Sequence, residues 1–151
     1  GTVQSESYEI EINKFYPGIK VVQQACPMWV PLIENNEHES EGADYFVKEY
    51  VNELMQQSGS IDTVLLGCTH YPLLSKKIQQ YLPAGVNLLS QGKIVATSLA
   101  DYLQRHPEME ERLSKNAGKQ FFTTDSSADF DKHARLFYGA DVRSVHVELG
   151  T

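Results

Sequence analysis

Basic residues are scarce in this chain, with 13 lysines and arginines against 20 aspartates and glutamates and a net charge of -7. No basic stripe interrupts that balance, so a nucleic-acid partner, which needs cations to displace counterions from phosphate, is not expected. Long apolar runs are missing too. Nowhere do about 18 apolar residues follow one another, and the first residues carry neither the charged start nor the apolar stretch of a signal peptide. The expectation is a soluble, cytoplasmic protein with no membrane partner.

Cysteine occurs only twice, at Cys26 and Cys68. Two thiols so far apart make a poor disulfide framework and are too few for a four-cysteine zinc site, and Cys68 with His70 would need ligands from elsewhere to hold a metal. No metal is expected. A dithiol redox motif is absent, because Cys26 is followed by Pro27, Met28 and Trp29. No arginine lies between Cys68 and Leu99, which removes the phosphate cradle of a cysteine-dependent phosphatase. A thiol protease or acyltransferase, with His38, His133 or His146 brought near a cysteine, stays open.

What is present suits an α/β fold. The 41% hydrophobic content is enough for a core, and short apolar runs rich in β-branched residues alternate with segments of helical period. Candidate strands cover residues 19–25, 63–67, 86–89, 119–123 and 142–147. No two-residue hairpin joins them, and the intervals are long enough for helical crossovers, so the spacing predicts βα units on a parallel sheet. Helices are expected over 42–57, ended by Ser58 and Gly59, and from Pro72 to Pro83, with Leu74, Ile78, Tyr81 and Leu82 as the buried stripe. Further helices are expected over 93–103, with Ile94, Leu99 and Leu103 in the core, and over 128–137, with a shorter one within 107–115. The loop 34–41 is dense in carboxylates and amides, and there is no internal repeat.

Chemistry concentrates in LLGCTHYPLL, residues 65–74, on a strand-to-helix turn at the carboxyl end of a candidate strand, where open parallel sheets bind ligands. Gly67 permits a tight bend or a close approach. Cys68 stands ahead of a helix whose positive end favours thiolate. Thr69 offers a hydroxyl and an N–H suited to a carboxylate, and His70 can exchange protons near neutrality. Taken alone, a cysteine after a strand is more often a small buried hydrophobe.

The run GCTHYPLL closely resembles the C-terminal signature of glutamate racemases, within the aspartate/glutamate racemase family. His70, Tyr71 and Pro72 favour the glutamate over the aspartate enzymes. GTVQSESY (residues 1–8), ACPMWVPLIE (25–34) and FFTTDSSADF (121–130) also look like family segments in the same order, so the resemblance covers most of the chain. Ser90, Gln91 and Gly92 depart from the family, whose members commonly carry an acidic residue before that glycine.

The resemblance implies a cofactor-independent, metal-independent interconversion of L- and D-glutamate by two opposed cysteines, supplying D-glutamate for peptidoglycan. It makes Cys68 the second of these cysteines, Thr69 a holder of the substrate α-carboxylate, His70 the partner of Cys68, and Glu34 an acid influencing proton transfer. Cys26 matches a cysteine outside the catalytic pair and is read as structural. The first catalytic cysteine and an Asp-Ser pair belong to a family segment ahead of the one matching Gly1, so the chain is expected to be a C-terminal portion that is inactive in isolation. The implied fold is two α/β domains, with residues 1–88 forming most of the second and residues 89–151 crossing back to complete the first. Homo-oligomers, or association through incomplete sheet edges, are expected. The competing readings are a non-catalytic binding module and an aspartate racemase.

Overall fold

The computed structural model describes residues 1–150 and divides the chain into two units, Gly1–Ser90 and the stretch from Gln91 onward. In the first unit, helices α1 (Ser7–Phe15), α2 (Trp29–Glu34) and α3 (Glu41–Gln57) precede strand β1 (Thr63–Leu65). A 3-10 turn (Tyr71–Leu74), helix α4 (Ser75–Tyr81) and strand β2 (Asn87–Leu89) follow. The two strands are parallel, with Val64 opposite Leu88, and the Leu66 N–H carries the ladder on to the Leu89 carbonyl at 2.9 Å. The turn and α4 therefore form the crossover of a βαβ unit, and residues 66–70 emerge at the carboxyl end of β1.

Helix α3 is well specified. The Ser40 side chain accepts from the Ala43 N–H at 3.2 Å, Glu41 and Asp44 lie at the positive end, and Ala43, Val47 and Val51 repeat every four residues as its buried stripe. Helix α3 packs on α2 and α4, and Trp29 and Ile33 of α2, Leu74 of the 3-10 turn, Ile78 of α4 and Leu82 just after it are buried with that stripe. Lys77 on α4 is held at 2.7 Å by Asp44, at the start of α3.

The second unit contains α5 (Gln91–Arg105), α6 (Pro107–Glu110), β3 (Phe121–Thr123), α7 (Ser127–Tyr138) and β4 (Ser144–His146). β3 and β4 are again parallel, with Phe122 opposite Val145. Ser126 caps α7, and Gly139, at φ 73°, closes it in the left-handed conformation with its N–H on the Arg135 carbonyl. The chain is thus a mixture of helices and parallel strands, the α/β class expected from its sequence.

Three expectations are corrected. Residues 19–25 form no strand, because a strand needs a neighbour and none pairs with them; Gln24 and Gln23 instead bond Glu53 and Gln57 of α3, at 2.7 and 3.3 Å. Ile94 and Leu99, expected in the core, are 53% and 55% exposed, since α5 packs mainly on the short α6. The helix expected from Pro72 opens as a four-residue 3-10 turn before α4 begins at Ser75, so Cys68 does not face the end of a long helix. Helices α1 and α2 lie in segments that had been given no helix.

Candidate active site

The backbone bends between β1 and the 3-10 turn, and three side chains of that bend face one another or a neighbouring helix. Gly67 sits under the ring of Tyr8, whose nearest atom lies 3.4 Å from where a Cβ would project. Cys68, partly buried and free of any disulfide, has its Sγ 3.9 Å from Nδ1 of His70. The Thr69 hydroxyl lies 3.4 Å from the same nitrogen. On the other side of the ring, His70 Nε2 meets Glu34 Oε1 at 3.3 Å.

A carboxylate accepts rather than donates, so in the tautomer with the proton on Nε2, facing Glu34, Nδ1 can accept from Cys68 or Thr69. In that tautomer the imidazole can take a proton from the thiol while Glu34 steadies the charge that results. The Glu34 side chain is 50% exposed and that of His70 26%, so the array opens to solvent on the carboxylate side.

Glu34 reaches this place because it ends α2, whose inner face is buried by Trp29 and Ile33. All four residues singled out in the sequence, Cys68, Thr69, His70 and Glu34, are thus brought into one cluster. His133 and His146 face the backbone carbonyls of Asp129 and Asp125, at 2.8 and 3.1 Å, rather than a cysteine.

Cys26 is a different kind of thiol. It is buried, and its Sγ donates to the Gln24 carbonyl at 3.7 Å. Burial pushes its pKa from 9.0 up to about 12, with the nearby Glu53 carboxylate adding to the shift. Near neutrality it is a protonated core residue with little nucleophilic character. Tyr71 is raised as well, chiefly by burial. Its place beside both cysteines was not recognised from the sequence, although it sits within the HYP run.

No family model matches the chain. Over its whole length it is 36% identical, across 152 residues, to the glutamate racemase of Lactiplantibacillus plantarum, and over 98% of its length it is 36% identical to that of Streptococcus suis. The chain matches the C-terminal portion of glutamate racemases. It spans 55% of the length of both of these relatives. The crystal structure of glutamate racemase isoform RacE1 from Bacillus anthracis superposes on 98% of the chain with a TM-score of 0.82 at 31% identity, using 54% of that protein. The glutamate racemase of Francisella tularensis, solved in complex with D-glutamate, gives a TM-score of 0.81 at 25% identity over 99% of the chain and 54% of its own length. The agreement reaches well beyond GCTHYPLL, and it carries the α/β architecture with it. Among the described residues, no three His, Cys, Asp or Glu side chains converge on a metal site, and no helix is long and apolar enough to cross a membrane.

Proposed function

We propose that this chain supplies one half of a glutamate racemase active site, with Cys68 as the acid–base group on one face of the substrate α-carbon. The observation that carries the reading is the Cys68–His70–Glu34 relay, in a chain whose relatives are named for that activity. In the proposed step the Cys68 thiolate takes the α-proton of L-glutamate, its own proton having passed to Nδ1 of His70. The electron pair left on the α-carbon is delocalised into the carboxylate, and a second thiol returns a proton from the opposite face. In the reverse direction Cys68 is the donor. Thr69 holds the α-carboxylate through its hydroxyl and N–H. The step consumes no cofactor and no metal, since a proton leaves and a proton arrives.

The second thiol is not Cys26, which is buried and protonated. It belongs to the part of the relatives' length that this chain does not span, so the chain alone is expected not to racemise glutamate. In the same reading the unit up to about residue 88 is most of one α/β domain, and the stretch from 89 to 151 completes another. The exposed apolar side chains of α5 and the open strand edges then favour association, with the missing portion or between copies. D-glutamate made in this way serves peptidoglycan synthesis in the cytoplasm.

The test is loss of optical rotation from L-glutamate by a protein of the relatives' full length that carries this sequence. Cys68→Ser is expected to abolish it. Racemisation surviving in that variant would overturn the reading.

A further inference from the structure

His70 and Tyr71 are consecutive, and both are gripped by the same short helix. Glu34, at the end of α2, holds His70 Nε2 at 3.3 Å, and Trp29, at its start, receives the Tyr71 ring edge-on with centroids 4.7 Å apart and planes at 78°. Trp29 is fixed in turn: it is buried, its indole N–H donates to the Phe46 carbonyl on α3 at 3.4 Å, and its ring lies 6.1 Å from that of Tyr50. The contact to His70 is open to solvent, whereas Trp29, which anchors Tyr71, is buried.

An exposed carboxylate–imidazole contact is too weak to hold a bend in place by itself. An edge-to-face aromatic pair on a buried indole is stiffer and more directional. We propose that Tyr71 is a positioning residue: by locking its ring onto Trp29 it seats the 68–70 bend against α2 and so sets the spacing of Cys68, His70 and Glu34. The inference rests on the proposed role of Cys68 only in what the spacing is for; the spacing itself can be read without glutamate.

The experiment is the rate of Cys68 alkylation by iodoacetamide at neutral pH in this chain, resolved from Cys26 by peptide mapping. Tyr71→Leu, which removes the ring from Trp29, is expected to slow it about ten-fold, whereas Tyr71→Phe, which keeps the ring, should leave it within about two-fold. In a His70→Asn background the effect of Tyr71→Leu should vanish, because Tyr71 acts through the imidazole. Should Tyr71→Leu unfold the chain, Trp29→Phe with an unchanged circular dichroism spectrum, which weakens the same ring contact, carries the test. Unchanged alkylation in the folded variant, or the same slowing with and without His70, would overturn the proposal. Failure of racemisation in the full-length protein, with this coupling intact, would count against the glutamate reading and leave the positioning role standing.

Discussion

Glu34 and His70 lie 36 positions apart in sequence and meet at 3.3 Å, Oε1 to Nε2, joining the end of α2 to the bend that carries Cys68. This contact turns a solvated-looking carboxylate into the outer member of a relay. Because the Glu34 side chain is half exposed, Glu34→Gln is expected to change stability by less than about 1 kcal/mol. Activity in the full-length protein should nevertheless fall on the order of ten- to a hundred-fold, as the amide no longer balances an imidazolium. Thermal melts and kcat measured side by side check the split; a parallel loss of both would show Glu34 to be structural only.

Alkaline stability follows from the buried thiol. Unfolded, Cys26 titrates at its ordinary value of 9.0; folded, burial holds it protonated to about 12. The folded state keeps a proton that the unfolded state gives up, so the stabilisation is fully present below pH 9.0 and is lost as pH climbs toward about 12. Each unit in that window removes at most about 1.4 kcal/mol from this group, and Tyr71, raised for the same reason, adds to the slope. Urea midpoints on either side of the window, compared with Cys26→Ala, check the assignment: the variant should show a flatter decline.

Packing separates the first unit's core from the exposed face of α5. Ile78 is fully buried between α4 and its neighbours, and Ile78→Ala is expected to cost about 3 kcal/mol, enough to unfold much of a marginal domain. Leu99, 55% exposed, should cost under about 0.5 kcal/mol when changed to alanine. Denaturant titration of the two variants distinguishes them, and equal losses would mean that the α5 face is covered in solution.

That face supports a fourth expectation. Ile94, Val95 and Leu99 on α5 are all more than half exposed, an unusual apolar surface for a chain of net charge -7. Sedimentation velocity should show concentration-dependent association of the chain, weakened by Leu99→Lys. A monomer at every concentration, unchanged by the substitution, would contradict it.

How much of this was legible in the sequence depends on whether the deciding neighbour lies close along the chain. Helix α3 could be read because its cap, its acidic first turn and its Ala43–Val47–Val51 stripe are all local. β1, β2, β3 and β4 could be placed within a few residues for the same reason, as compact apolar runs between turn signals. Residues 19–25 read as a strand from composition, yet composition cannot tell whether a partner strand is there to receive the ladder. α1 was hidden by the Glu-Ile alternation of its sequence, which mimics a strand; it buries no residue fully, and only Tyr8, Glu9, Ile12 and Asn13 are partly covered. Ile94 and Leu99 have helical spacing, but burial depends on what covers them. At the site, Cys68, Thr69 and His70 were legible because they are consecutive. Glu34 came from resemblance alone, and Tyr71 was missed because its partner Trp29 lies more than 40 residues away.

The measurement that bears most directly on the account is α-proton exchange of L- and D-glutamate in D2O with this chain, beside a Cys68→Ser control. If Cys68 is a one-sided acid–base group, deuterium should enter L-glutamate with retention of configuration and should not enter in the control. Exchange that persists in Cys68→Ser, or conversion of L- to D-glutamate by the chain alone, would contradict it.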